Sequence, residues 1–210
     1  MAGDEPVIYI VDDDTSVRES LECLLAQAGW RVVDFGSALE FLSYARPVLP
    51  GCMILDLNLP DLNGLELQRL LAREPNALPV IFITGHGDIP TTVQAMKAGA
   101  VEFLTKPFRA EALLSAIKGG VERSRASLDR NADLQALRER HDRLSRRERE
   151  VMALVVRGQL NKQVGGELGI SEITVKSHRG RVMRKMQARS LVDLVNMASR
   201  LSVTPVAAKS

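Results

Sequence analysis

The 210 residues carry 28 Lys+Arg against 26 Asp+Glu, and a formal net charge of +2 excludes a uniformly polybasic or polyacidic tail protein. Hydrophobic residues make up 45% of the chain, too many for a disordered one, and no apolar run approaches the roughly 18 residues that would suggest a membrane span. The opening MAGDEPVIYIVDDD places acids where a secretory signal would be basic, so a cytoplasmic location away from any membrane is expected.

The small net charge hides a division. Residues 1–120 hold nine basic and sixteen acidic residues, a net of −7, whereas residues 121–210 hold nineteen and ten, a net of +9. An acidic half followed by a basic half implies two domains with different partners, the second a nucleic acid. Cys23 and Cys52 lack metal-site spacing. Both stand among apolar neighbours and are expected to be buried thiols.

Val7–Val11 is a β-branched run suited to a strand buried on both faces. Asp12-Asp13-Asp14 ends it, and Thr15–Ala28 has helical periodicity, with Gly29 as its stop. Arg31–Phe35 predicts a second strand, Ser37–Ala45 a helix, and Cys52–Leu55 a third strand closing on Asp56. Gly64–Arg73 predicts a helix, Val80–Thr84 a strand, Thr91–Ala98 a helix, Val101–Leu104 a strand, and Ala110 onward a fifth helix. Five β/α pairs imply an α/β doubly wound parallel five-stranded sheet, whose ligands bind at the carboxyl ends of the strands.

Those ends are polar. They carry Asp12-Asp13, Asp56, Thr84 and then Thr105-Lys106-Pro107. Three carboxylates brought together repel, and a hard divalent cation such as Mg²⁺ relieves the repulsion through oxygen ligands. A lysine and a hydroxyl at neighbouring strand ends supply partners for an anion beside the metal. The set fits a phosphoryl group carried on an aspartate. Asp14 has the position of a helix N-cap, while His86 and Trp30 carry no functional assignment.

The segments IYIVDDD, ILDLNLPDLNGLEL and VIFITGHGDIPTTVQAMKAGAVEFLTKPF resemble the receiver domain of two-component response regulators, and most closely the FixJ-like subfamily. The resemblance implies that Asp56 is the phosphoacceptor, taking its phosphoryl group from the phosphohistidine of a sensor histidine kinase. It implies Mg²⁺, with Mn²⁺ as a substitute, held by Asp13, by Asp12 largely through water, by Asp56 and by the backbone carbonyl of Asn58. Lys106 and Thr84 would bind the phosphoryl group, Phe103 would be the switch aromatic, and Lys106-Pro107 would be cis. Dimerisation on phosphorylation would use the fourth and fifth helices and the strand between them.

From Glu122 to Arg143 there is neither proline nor glycine, and Leu128, Leu134 and Leu137 form only a thin apolar stripe. A long, solvated, unpaired linker helix is expected rather than a coiled coil. Beyond it, Ser145 and Glu148 have the spacing of a capping box opening a helix to Arg157, with Val151, Leu154 and Val155 as core candidates. Asn161 is expected to cap a helix to Leu168, Ser171 a helix to Met186, and a fourth helix spans Ser190–Leu201. The turn Gly169-Ile170-Ser171 between two short helices is a helix-turn-helix pattern.

On the third of these helices, Val175, His178, Val182 and Met186 fall on one face, and Lys176, Ser177, Gly180, Arg181 and Arg184 on the other. No acid occurs from Thr174 to Arg189. LSRREREVMALVVRGQLNKQVGGELGISEITVKSHRGRVMRKM resembles the LuxR-type four-helix DNA-binding domain. That resemblance implies base-edge contacts from Lys176, Ser177, Gly180 and Arg181, and phosphate contacts from Asn161, Lys162, Thr174 and Arg179. Gly165-Gly166 departs from relatives, which usually carry alanine in at least one of these places, and predicts a soft scaffold helix.

The domains expected are a receiver at 1–122, a helical linker at 123–143, an all-α helix-turn-helix domain at 144–204 and a tail at 205–210. The chain reads as a phosphorylation-controlled regulator of double-stranded operator DNA, with RNA polymerase as a further partner, and not as a turnover enzyme. Two alternatives stand: a constitutive DNA-binding regulator with a non-switching receiver, and an aspartate-phosphate hydrolase.

Overall fold

The computed structural model describes residues 5–85 and 89–202, and His86 lies outside the described residues. The chain divides after Asn131 into two compact units, inside the segment expected as a linker.

In the first unit, strands β1 (Val7–Val11), β2 (Arg31–Phe35), β3 (Gly51–Asp56), β4 (Val80–Thr84) and β5 (Glu102–Thr105) form one sheet in the order β2-β1-β3-β4-β5. All four pairings are parallel. Helices α1 (Thr15–Gln27), α2 (Ala38–Ser43), α3 (Gly64–Leu71), α4 (Ile89–Lys97) and α5 (Ala110–Asp142) alternate with the strands. The α/β reading holds, with shifted ends. Ser37 caps α2 from outside through the Glu40 amide, and Tyr44 is already extended, so that helix is shorter than expected.

Alternation along the strands builds two cores. Tyr9, Val11, Leu55 and Phe82 join Phe41 and Leu67 on one face. Ile8, Ile10, Ile54, Ile81 and Ile83 join Leu25, Leu113 and Ile117 on the other. Cys52 belongs to the second core, and burial pushes its thiol up to about 12. Cys23 corrects the expectation of two buried thiols. It is exposed, because α1 turns Leu21 and Leu25 inward and leaves residue 23 on the outer side.

Two of the three linker leucines are engaged by their own units, although most of the segment is exposed. Leu137 is buried in the core of the second unit. Leu128 lines a cavity in the first, beside Tyr9 and Leu78. Ser124, also on α5, is buried and accepts a hydrogen bond from the Gly51 amide at 3.1 Å.

The second unit contains α6 (Arg146–Val155), α7 (Asn161–Leu168), α8 (Glu172–Met186) and α9 (Leu191–Arg200) around Val151, Leu154, Val155, Val164, Val175, Val182, Met186 and Leu194. The capping box is present: Ser145 Oγ accepts from the Glu148 amide, and the Glu148 carboxylate accepts from the Ser145 amide. Asn161 is not the cap of α7. It is the first helical residue, the Leu160 amide donates to Gln163 Oε1 instead, and the Asn161 side chain is engaged elsewhere.

The two mid-helix glycines of α7 have different roles. A Cβ on Gly165 would lie 2.8 Å from the Ile170 carbonyl oxygen, so the chain reversing at Gly169 needs a bare backbone there. A Cβ on Gly166 would meet nothing within 4 Å. Gly166→Ala should therefore stabilise the second unit by about 0.5–1 kcal/mol through helix propensity, while Gly165→Ala should destabilise it. Thermal unfolding followed by circular dichroism checks the opposite signs.

Candidate functional sites

Sheet order assembles the first site. Because β1 and β3 are hydrogen-bonded neighbours, with Val11 opposite Leu55, the residues that follow bring the Asp12 and Asp56 carboxylates together. Both are almost fully buried, whereas Asp13 is exposed. Lys106 follows β5, two strand spacings from β3, or about 10 Å. Its long stem crosses that gap, and Nζ donates to Asp12 Oδ2 at 2.8 Å and to Asp56 Oδ1 at 3.3 Å. Lys106-Pro107 is cis, and the Lys106 amide donates to the carbonyl of buried Thr84 at 2.8 Å. Phe103 packs beside Phe82, their ring centroids 6.0 Å apart. Asp14 is the α1 N-cap, its Oδ1 accepting from the Ser16 and Val17 amides.

Two backbone amides orient the carboxylates. Asn58 N donates to Asp56 Oδ2 at 2.7 Å, and Asp14 N donates to Asp12 Oδ1 at 2.9 Å. Burial raises the Asp56 carboxyl above its ordinary value, and the Asn58 amide and Lys106 oppose that only in part. Burial acts on Lys106 in the downward direction, but its hydrogen bond to Asp12 and the two carboxylate charges outweigh it and raise the ammonium. Two carboxylates against one ammonium leave a negative charge uncompensated, and every available donor is a hard oxygen. Among the described residues no three His, Cys, Asp or Glu side chains form a closed cage. Mg²⁺ does not need one, since it takes one or two carboxylates and keeps waters. The donor set fits that ion.

Arg18 was not singled out by sequence reasoning. It lies on α1, donates through Nη1 to the carbonyls of Asp12 at 2.7 Å and Asp13 at 3.2 Å, and pairs through Nε with Asp34 at 2.9 Å. It fixes the acidic turn from behind. An arginine shortly after an acidic turn at a strand end is a weak signal, and its Asp34 partner becomes visible only when β2 is placed beside β1.

The second site is the exposed side of α8. Lys176, Ser177, Gly180, Arg181 and Arg184 line this side, while Val175, Val182 and Met186 are buried. Lys162 is exposed on α7. Arg179 is half-buried and donates to Asn161 Oδ1 at 3.2 Å, which joins α8 to the start of α7. Thr174 Oγ1 lies 2.8 Å from Ser171 Oγ, the cap of α8.

The orientation of α8 depends on Glu148, also missed as an interhelical anchor. Buried on α6, it accepts from Lys185 Nζ at 2.6 Å. Burial alone would raise this carboxyl, but Lys185 and the Ser145 amide hold it below its usual value. Its contribution to stability is present above the unfolded carboxyl range and is lost as pH falls through the depressed value. Arg147 Nη2 adds a hydrogen bond to the Leu168 carbonyl at 2.9 Å, joining α6 to the end of α7.

A family model described as the response regulator receiver domain matches residues 8–118, and one described as bacterial regulatory proteins, luxR family, matches residues 142–198. Nodulation protein W of Bradyrhizobium diazoefficiens is 48% identical over 203 residues, 97% of this chain and 89% of that protein. The transcriptional regulatory protein FixJ of Rhizobium meliloti is 44% identical over 191 residues, 91% of this chain and 94% of its own length. The solved structure of the response regulator StyR aligns with TM-score 0.81 at 45% identity, covering 93% of this chain and 99% of that one.

Ionised Asp56 is held in a pocket that raises its carboxyl, so at neutral pH its charge costs stability. Protonation removes that cost below the raised pKa. Asp56→Asn should therefore raise the unfolding midpoint of the first unit at pH 7, and the gain should disappear as pH falls through that range. Thermal melts from about pH 3 to 8 test this sign.

Proposed function

The chain belongs to the two-component response regulators that join a receiver to a LuxR-type DNA-binding domain, and from that membership we propose that Asp56 is its phosphoacceptor and the outer face of α8 its operator reader. It is a phosphorylation-dependent transcriptional regulator by family. The observation that carries the site assignment is Lys106, whose one ammonium reaches both Asp12 and Asp56.

In the reaction proposed, an Asp56 carboxylate oxygen bonds to phosphorus while the phosphorus–nitrogen bond of a phosphohistidine breaks and the imidazole leaves. Such transfers require positioning and charge neutralisation more than covalent assistance. The Asn58 amide holds Asp56 Oδ2 and thereby the plane of the carboxylate. Lys106 is held more closely by Asp12 than by Asp56, so its ammonium is retained at the site while it turns to the phosphoryl oxygens. Asp12, Asp13, Asp56 and the Asn58 carbonyl would hold Mg²⁺ or Mn²⁺, which when bound neutralises charge on the phosphoryl oxygens. Thr84 and Phe103 would register the new group. A shallow groove of about 410 Å³ between α1 and Lys106-Pro107-Phe108 borders the site and suits a donor domain of a sensor kinase.

Dimerisation on phosphorylation is proposed on α4, which exposes Ile89, Val93 and Met96 at helical spacing. On DNA, Lys176, Ser177, Gly180 and Arg181 would face base edges, as the N-terminal part of a recognition helix does. Lys162, Thr174 and the Arg179–Asn161 pair would lie along the phosphates. The aspartate-phosphate hydrolase reading loses its support, because the matches extend through both halves of the chain.

With a small phosphodonor and Mg²⁺ the wild type should gain one acid-labile phosphoryl group, seen as a mass increase, and EDTA should abolish it. Labelling of Asp56→Asn to the wild-type level would remove the acceptor assignment. On DNA, Lys176→Ala or Arg181→Ala should lose roughly 1–3 kcal/mol on the operator and relax its specificity, whereas Lys162→Ala should weaken all sequences alike and reduce the salt slope by about 1. Titrations of operator and random duplexes at several salt concentrations separate the two classes.

A further inference from the structure

Ile173 is 83% exposed, the most exposed of the large hydrophobic residues described. It stands at the second position of α8, directly after Glu172 and just before the run without acids. A helix turns about 100° per residue, so Lys176, Ser177, Gly180, Arg181 and Arg184 all lie within about 80° of Ile173 on the wheel. Val175, Val182 and Met186 lie on the opposite side, and all three are buried. The isoleucine therefore sits at the centre of the outer face. It has no role in the core of its own domain, and its apolar surface is unfavourably placed in water.

We propose that Ile173 is a specificity residue that reads the 5-methyl group of a thymine in the major groove. This inference rests on the assignment of α8 as the operator reader. Four observations favour that occupant. The side chains that share its face, Lys176, Ser177, Arg181 and Arg184, are cationic or neutral, complementary to a phosphate-lined groove. The N-terminal turn of a recognition helix is the part that meets base edges. The thymine methyl is the apolar feature that the major groove presents, and small apolar side chains meet it there. Finally, Gly180, two turns further along the same face, projects no side chain, and a Cβ at that position would meet nothing within 4 Å. Position 180, nearly in line with Ile173, therefore does not hold the groove wall away from it. Direct readout on this helix is then mixed, with Lys176 and Arg181 supplying hydrogen bonds and Ile173 supplying an apolar contact.

The test uses the full chain with Mg²⁺ and beryllium fluoride as the phosphoryl mimic. A duplex is first selected from a random library by the wild type. Each thymine of its half-sites is then replaced singly by uracil, which pairs identically and lacks only the methyl. For the wild type, uracil at one or two positions per half-site should weaken binding about three- to fivefold, the size expected for withdrawing one methyl from an apolar contact. For Ile173→Ala the same replacement should have no effect, and the variant should bind the thymine duplex as weakly as the wild type binds the uracil one. Ile173 makes no core contact whose loss would unfold the domain, and an unchanged melting temperature of the variant verifies this. Selected half-sites without thymine, wild-type indifference to every uracil, or equal uracil sensitivity in Ile173→Ala would each overturn the proposal. A protein that selects no sequence at all would instead bring down the operator-reader assignment, and this inference with it.

Discussion

Two nearly buried carboxylates on adjacent parallel strands must be compensated, and Lys106 is the cation that does so. The constraint is electrostatic before it is functional. Asp12 and Asp56 approach because β1 pairs with β3, and like charges at such range destabilise one another strongly in a poorly solvated edge. One ammonium, anchored at 2.8 Å to Asp12, offsets half of this. What remains is a site with a standing demand for positive charge beside an aspartate whose carboxyl is raised by burial. A bound hard cation such as Mg²⁺ would answer this demand. The backbone joins this site to the rest of the sheet through the Thr84 carbonyl and the Lys106 amide, so β4 and β5 end in register with the chemistry.

The basic half uses buried charge differently. Glu148 is a capping residue that is also an interhelical ion-pair partner, and its carboxylate joins the first turn of α6 to the last turn of α8. Removing either partner would leave the other buried or under-compensated, which costs more than an exposed pair would. The result is a rigid rear support for α8, with Arg179 and Asn161 pairing toward α7. The outer face of α8 is thereby left free of structural duty. Gly165 has the complementary task of letting the reversal before α8 come close to α7.

Much of this is legible from residues alone. Strand ends can be recognised because a β-branched run followed by Asp, or by Thr and Lys, changes character abruptly. The capping box and serine caps can be recognised because they are local hydrogen-bond rules. The failures share one cause. Cys23 has apolar neighbours in sequence, but a helix presents only part of its circumference to the core, and α1 is oriented by Leu21 and Leu25. Asn161 has the type and position of a cap, whereas its side chain is recruited by Arg179, eighteen residues away. Leu128 and Leu137 form a stripe too thin for a paired coil, yet Leu137 is buried in the second unit and Leu128 lines a cavity of the first. Arg18 escapes sequence reasoning because its partners are backbone carbonyls and Asp34, sixteen residues distant.

The sequence by itself determined the alternation of elements, the division into an acidic and a basic half, the residue types gathered at the strand ends, and the family those motifs resemble. These follow from short-range physics: periodicity, capping and the placement of charge along the chain. Only the tertiary structure decided that Lys106 spans both carboxylates, that Arg18 braces the acidic turn, that Glu148 and Lys185 orient α8, and that Ile173 stands uncovered at the centre of its outer face. Those outcomes depend on which strands become neighbours and how each helix is rotated about its own axis. Both are set by the sum of many apolar contacts over the whole core, and no local pattern contains that sum.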